Sequence, residues 1–280
     1  MASFDLGDST ETGILAAPAT SQKPNMTPDY EVKLLLKPNM VLNSDYELTS
    51  TMLSDFGMPT TTTDMNIQFL DTGSKELFNS GWSTRIRKFK DENDFELTYK
   101  KRYPIIGGDI DDALTTANNE GFDAGDRKYD AQVEWGYQRQ TLSISRKKSA
   151  SASGVSGTDL PGEADSRVML IDEAPDKFVN FVSPGWGTGV LDKSRIFGPI
   201  LAKRSVVTWA DKKLYIEVWP IKNAEKTGLE YIVEASFKTK SFAMASSGHQ
   251  NLVAYLQGKG WLLPQESDRT KLILERYSGI

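Results

Sequence analysis

The sequence predicts an α+β fold dominated by antiparallel strands, with helices packed around them. Three observations carry this expectation. Runs of alternating charged and apolar residues recur along most of the chain, the period of strands with two unlike faces. Polar turn residues separate several of these runs at hairpin distance. Two runs with helical spacing close the sequence.

Residues 1–27 are rich in Ser, Thr, Ala and Pro without apolar periodicity, which predicts a disordered tail. One domain is expected over 28–280. Its first strand is Asp29-Tyr30-Glu31-Val32-Lys33-Leu34, ended by Pro38. A helix is expected over about 44–55, capped by Asn43 or Ser44, striped by Leu48, Met52, Leu53 and Phe56, and stopped by Gly57. Strands follow near 64–71, 82–90 and 94–102, the last two joined through Asp91-Glu92-Asn93-Asp94. Residues 109–120 predict a short helix with Ile110, Ala113, Leu114 and Ala117 on one side. Asp130 to Lys147 reads as one long strand. The small residues of 149–166 predict a mobile surface loop. Three further strands are expected at Ala202–Trp209, Lys213–Ile221 and Leu229–Lys240. The C-terminal region, 241–280, then holds helices near 247–257 (Leu252, Val253, Leu256, with Gly258 as the stop) and 267–277 (Leu272, Ile273, Tyr277). No internal repeat is visible.

Composition narrows the chemistry. The 280 residues include no Cys and a single His, His249. Disulfides, zinc fingers, iron–sulfur clusters, cysteine nucleophiles and multi-histidine metal cages are excluded. A bound metal would need oxygen ligands, which points to Mg²⁺ or Mn²⁺. With 33 basic and 38 acidic residues the net charge is -5, which argues against a nucleic-acid binder with a large basic face. No window approaches the roughly 18 apolar residues of a membrane span. The start, MASFDLGDSTETG, lacks a secretory signal pattern, so the expected location is cytoplasmic.

The unusual feature is the charge carried by the strands. Asp29, Glu31 and Lys33 share one face of the first. Arg85 and Arg87 alternate with Ile86. Glu96, Thr98 and Lys100 share a face, as do Glu217 with Trp219 and Glu234 with Lys238. Two architectures satisfy this pattern. In one, charged faces meet water and apolar faces form the core. In the other, a closed barrel turns its charges inward and helices cover its apolar outside. Periodicity does not separate the two.

Two motifs do. Asp29-Tyr30-Glu31-Val32-Lys33 resembles the Glu-x-Glu-x-Lys strand of the triphosphate tunnel metalloenzymes, also called the CYTH superfamily. Gly81-Trp82-Ser83-Thr84-Arg85-Ile86-Arg87, followed by Leu97-Thr98-Tyr99-Lys100, resembles that family's second segment. Glu134, the pair Lys203-Arg204, Glu217 and the strand from Tyr231 to Lys238 resemble the later motifs. Many relatives carry two acids on that last strand; here Glu234 is followed by Ser236. The resemblance covers about residues 28–240.

The resemblance implies an eight-stranded antiparallel tunnel barrel that binds a phosphate chain. Lys33, Arg85, Arg87, Lys100 and Arg204 would be its catalytic cations, and with Lys238 they would grip phosphate oxygens. Glu31, Glu217 and Glu234, supported by Asp29 and Glu134, would hold Mg²⁺ or Mn²⁺. The implied activity is metal-dependent hydrolysis of a triphosphate or diphosphate. A lyase or cyclase acting on a nucleotide or prenyl diphosphate, or a polyphosphate binder without turnover, would use the same site. The expected partner is a small phosphate-bearing molecule; nothing in the sequence sets an oligomeric state. Other features read structurally: His249 as a cap or surface residue, Gly185-Trp186-Gly187-Thr188-Gly189 as a turn with an aromatic plug, and Arg146-Lys147-Lys148 as a solvated strand end. Trp82, Trp135, Trp209 and Trp219 read as core or barrel wall, with room for one to face the tunnel.

Overall fold

In the structure, a computed structural model, residues 23–278 are described. Their elements are β1 (Asp29–Leu36), α1 (Pro38–Val41), α2 (Ser50–Phe56), β2 (Thr63–Asp71), α3 (Glu76–Asn79), β3 (Trp82–Phe89), β4 (Asp94–Pro104), α4 (Ile110–Asn119), β5 (Asp130–Trp135), β6 (Gln140–Ser151), α5 (Glu163–Asp172), α6 (Asp176–Val179), α7 (Trp186–Asp192), β7 (Arg195–Trp209), β8 (Lys212–Lys222), β9 (Leu229–Thr239), α8 (Phe242–Gly258), β10 (Leu262–Leu263) and α9 (Arg269–Arg276).

The sheet runs β1-β5-β6-β4-β3-β2-β7-β8-β9 and closes on itself through β9 and β1, with β10 added beside the end of β1. The expected tunnel barrel is present, with nine strands in place of eight. The extra strand comes from 130–147, which folds back at Gly136 into the β5–β6 hairpin; Gly136 N donates to Arg139 O at 2.8 Å. The odd count has a topological consequence. A closed ring of strictly antiparallel neighbours needs an even number of strands, so one pair must run parallel. That pair is β1–β5, with Glu31 opposite Glu134. The chain gains the needed direction by leaving β4 through α4 and returning to the start of β5, the crossover a parallel pair requires.

The barrel carries its apolar core outside. Val32, Leu34 and Leu36 of β1 are buried with Leu252 and Leu256 of α8. Around Trp82 the rings of Phe178 and Phe181 lie 5.2 and 5.5 Å away. Tyr99 donates its hydroxyl to Leu170 O of α5 at 2.5 Å, fastening that helix to β4. These outward strand residues have apolar partners, and the alternate positions face inward.

One helix departs from this plan. Phe69 lies opposite Arg85 and Ile67 opposite Arg87, so β2 turns Met65, Ile67 and Phe69 to the same inner face as the arginines. Opposite them on β7 stand Ala202, Ile200 and Phe197. This inner apolar patch is buried by Ile273 and Leu274 of α9 and by Tyr277 just after it. The last helix thus covers an interior face, while the others surround the barrel as expected.

Local signals hold with shifts of position. The helix expected over 44–55 is α2, capped by Thr49, whose hydroxyl accepts from Met52 N at 3.2 Å; Asn43 instead braces a turn through Asp45 N and Glu47 N. Gly57 ends α2 in the left-handed region at φ 64. Residues 23–27, grouped with the tail by composition, are tied to the body: Asn118 Nδ2 donates to Lys23 O at 2.7 Å and Ala124 N to Pro24 O at 2.9 Å. Residues 1–22 of that expected tail lie outside the described residues. The stretch 149–166 divides between the end of β6, a connection, and the first turn of α5. No described helix is long and apolar enough to cross a membrane.

The Gly-rich segment 185–189 is a helix start, since α7 begins at Trp186. One of its glycines, Gly187, is a packing requirement. A Cβ on Gly187 would lie 2.5 Å from Phe178 O and 2.8 Å from the Phe178 ring. Gly187→Ala is therefore expected to cost about 1–3 kcal/mol through overpacking. Thermal denaturation checks this; an unchanged melting temperature would contradict the packing.

Candidate active site

The inward residues line one cavity of about 560 Å³. Every sequence-predicted site residue stands on its wall: Asp29, Glu31 and Lys33 of β1, Arg85 and Arg87 of β3, Lys100 of β4, Glu134 of β5, Arg204 of β7, Glu217 of β8, and Glu234, Ser236 and Lys238 of β9. Strand alternation points these side chains inward, and register puts them side by side.

Two lysines converge on one carboxylate. Glu134 Oε2 accepts from Lys33 Nζ at 2.8 Å and its Oε1 from Lys100 Nζ at 2.6 Å. Glu31 lies 3.8 Å from Lys33 Nζ and 3.6 Å from Lys238 Nζ. Lys238 is half exposed, which places it toward the opening. Ser236 is opposite Lys33 in the β1–β9 register.

A second cluster joins β3 to β4. Arg87 Nη2 donates to Glu96 Oε1 at 2.7 Å, and Arg85 Nη2 donates to the same oxygen at 3.1 Å and to Thr98 Oγ1 at 3.1 Å. The Nε atoms of both arginines are buried without a hydrogen-bond partner among the described residues. Unpaired buried donors are costly, so an acceptor reaching these two Nε atoms would be favoured.

The third cluster centres on Glu217. Arg204 donates to Oε1 from Nε at 2.9 Å and Nη2 at 2.6 Å. Oε2 accepts from Trp219 Nε1 and from Arg269 Nη1, each at 2.9 Å. Arg269 also reaches Glu234 Oε1 at 3.2 Å and lies 4.2 Å over the Trp219 ring. Ser267 donates to Glu234 Oε2 at 2.5 Å.

Charge pairing sets the protonation states. Burial opposes ionisation of Glu217, but Arg269 and Arg204 outweigh it and hold the carboxyl down at about 2. Glu96 is likewise held at about 2, Arg85 and Arg87 overcoming its burial. For Glu134, Lys100 and Lys33 outweigh burial and hold it well below the usual carboxylate range. Burial pushes Glu234 up despite Arg269. Burial, with Arg87 beside it, lowers Arg85 to about 10.

Lys100 is the group poised to titrate. Burial is the largest influence on it; Glu134 pulls upward and Arg102 and Lys33 push down, leaving it at about 8. Below that pH it is a cation able to hold a phosphate oxygen, and above it that charge is lost. Affinity for inorganic tripolyphosphate is expected to fall as pH rises through about 8, and Lys100→Arg should remove the fall because a guanidinium stays charged. Calorimetric titration across that range checks it; an affinity that does not change would contradict the role.

The chain's acids suit a hard cation by chemistry but not by arrangement. Glu31, Glu134, Glu217 and Glu234 all hold Lys or Arg partners, and among the described residues no three acidic or histidine side chains converge to hold a metal ion. Between Glu217 and Glu234, opposite each other on β8 and β9, the bridging cation is Arg269. The residues as placed do not form a ready Mg²⁺ or Mn²⁺ centre.

Several wall residues escaped the sequence reading. Arg102 shares the inward parity of Thr98 and Lys100 and donates to Ser83 Oγ at 2.9 Å, so its strand position could have flagged it. Lys147, read as part of a solvated strand end, lines the cavity, while its neighbour Lys148 pairs outside with Glu173 at 3.0 Å. Trp219 is the tryptophan that faces inward. Arg269 had no local signal, because its role depends on where α9 docks. His249, expected at a cap or surface, sits within α8, which starts earlier than predicted; its Nε2 lies 2.8 Å from Gly136 O and its ring stacks on Trp135.

No protein-family model and no curated protein matches the chain. Solved structures do. An adenylyl cyclase candidate from Hippeastrum, HpAC1, described as having a dominant triphosphatase activity, superposes with a TM-score of 0.52 at 13% identity, covering 89% of this chain and 96% of that one. An adenylate cyclase candidate from Bacillus halodurans gives 0.50 at 13% identity, covering 90% and 98%. At such identity the likeness establishes a shared fold: this chain has the closed-barrel architecture of those proteins over nearly its whole length.

Proposed function

We propose that the chain is a member of the triphosphate tunnel group and that its cavity binds and hydrolyses a triphosphate or diphosphate substrate. The observation that carries this reading is the convergence of Lys33, Lys100, Arg85, Arg87 and Arg204 on one enclosed wall, with two arginine Nε donors still unpaired. Phosphoryl transfer requires positioning and charge neutralisation more than a covalent nucleophile. Arg85 and Arg87 would clamp one phosphoryl group as parallel guanidinium forks. Lys33 and Lys100 would share themselves between Glu134 and the substrate, and Arg204 would orient the far end of the chain. Among the structural neighbours, one is described as a triphosphatase, which agrees with this reading. Of the carboxylates that the family resemblance offers to Mg²⁺ or Mn²⁺, Glu31, Glu134, Glu217 and Glu234 would each first have to leave a Lys or Arg.

One observation favours a second reaction on the same site. Ser236 stands on the cavity wall where many tunnel enzymes carry an acid, so the group that would help activate water is absent from that position. A lyase or cyclase, which needs no water, would tolerate this. The separating experiment is a screen of inorganic triphosphate, nucleoside triphosphates, thiamine triphosphate and prenyl diphosphates, in Mg²⁺, in Mn²⁺ and in EDTA, reading both phosphate and organic product. Phosphate release without cyclised or eliminated product supports hydrolysis. Cyclised or eliminated product supports the second reaction, and tight binding without product a binder; no binding and no product would sink the tunnel reading.

A further inference from the structure

We propose that Arg269 is the cavity's own resident cation: it takes the place a divalent ion would occupy between Glu217 and Glu234, so that the site accepts a phosphate chain without a metal. This rests on the phosphate-chain reading of the same cavity and specifies what that cavity requires.

Three features of Arg269 carry the inference. First, its guanidinium bridges two carboxylates facing each other across β8 and β9, with contacts of 2.9 Å to Glu217 and 3.2 Å to Glu234. Divalent ions bridge carboxylates in this way, and a guanidinium does so with a single charge and directional donors. Second, the side chain is held in place. The Trp219 indole lies under it at 4.2 Å while donating to Glu217, and Ser267 donates to Glu234, so both carboxylates are oriented toward the arginine. Third, the backbone behind it is anchored. α9 buries Ile273 and Leu274, and Tyr277 at its C-terminal end, on the inner apolar patch of β2, β7 and β8, so the helix that delivers Arg269 is part of the interior packing.

The charge balance supports the same conclusion. A tunnel that relies on metal needs carboxylates left open to receive it. Here Glu134 is taken by Lys33 and Lys100, Glu96 by Arg85 and Arg87, and Glu217 by Arg204 and Arg269. Basic side chains outnumber acidic ones around the wall. An incoming polyanion therefore meets a surplus of fixed positive charge, which is the contribution a metal would otherwise make.

The test uses the full chain and two probes, Mn²⁺ alone and inorganic tripolyphosphate. Electron paramagnetic resonance should find no Mn²⁺ held by the wild-type protein. Calorimetry should find tripolyphosphate bound in EDTA, with an affinity that added Mn²⁺ alters by no more than about threefold. Arg269→Gln frees the two carboxylates. This variant should lose about tenfold or more of the affinity in EDTA and gain a bound Mn²⁺ that restores it. Stoichiometric Mn²⁺ on the wild type, or tripolyphosphate binding that appears only with metal, would overturn the inference and leave the phosphate-chain reading intact. Failure of tripolyphosphate to bind under every condition would overturn both. The wild-type measurements decide the matter even where Arg269→Gln does not fold.

Discussion

Arg87→Ala is expected to lower turnover of the proposed phosphate substrate by about 10²–10³-fold while the protein remains folded. The size of the loss follows from the place of the side chain. Arg87 lies on the inner face of β3 beside Arg85, its Nη2 2.7 Å from Glu96 and its guanidinium 4.4 Å over the Phe89 ring, with Nε unpaired. A preorganised donor in a partly enclosed site acts on charge that develops during the reaction, and Arg85 alone leaves only one of the two guanidinium forks on that stretch of wall. The fold survives because Glu96 keeps Arg85 at 3.1 Å and the outer face of β3, around Trp82 and Ile86, is untouched. Phosphate release measured with a thermal melt checks both halves. Arg87→Lys should recover only part of the rate, since a lysine supplies charge without the bidentate geometry. Glu31→Ala is expected to lower activity as well, by leaving Lys238 without its carboxylate and Lys33 held by Glu134 alone. Activity unchanged in both alanine variants would remove the site from consideration.

Glu217→Ala should have the largest effect on stability, about 3–5 kcal/mol. One carboxylate, only 6% exposed, satisfies Arg204, Arg269 and the Trp219 indole together. Removing it strands two guanidinium groups in a buried wall, with Glu234 left to balance Arg269 alone. Breaking a buried ionic cluster from one side costs more than forming it gained, because the remaining charges keep their desolvation penalty. The melting temperature should fall by roughly 10 °C, given about 2–4 °C per kcal/mol for a chain of this size. Added tripolyphosphate should recover part of the loss, since an anion in the cavity rebalances the stranded cations and binding stabilises the folded state. A melt within a degree or two of wild type would contradict the hub role assigned to Glu217.

Strand parity made much of the barrel legible. The alternation Asp29, Glu31, Lys33 against Tyr30, Val32, Leu34 marks two faces of β1 whatever the surroundings, and the same holds for Arg85 and Arg87. Alternation does not say which face is inside. Closure of nine strands and the placement of α8 on Val32 and Leu34 settle that, and both are properties of the whole chain. The strand count was missed because Gly136 interrupts a run that keeps its period on both sides of the turn. Met65, Ile67 and Phe69 are apolar at inward positions, against the charged pattern elsewhere, and the reason is α9 packing on them. That contact joins residues some 200 apart in sequence, so no local pattern encodes it, and Arg269 was invisible for the same reason.

The most direct measurement is a crystal structure of the protein soaked with inorganic tripolyphosphate in EDTA. The phosphate chain should lie within the barrel, its oxygens within hydrogen-bond distance of Arg85, Arg87, Lys33 and Lys100, with Arg269 still bridging Glu217 and Glu234. A chain bound outside the barrel, or a cavity that stays free of phosphate at saturating concentration, would contradict the assignment of this interior to phosphate.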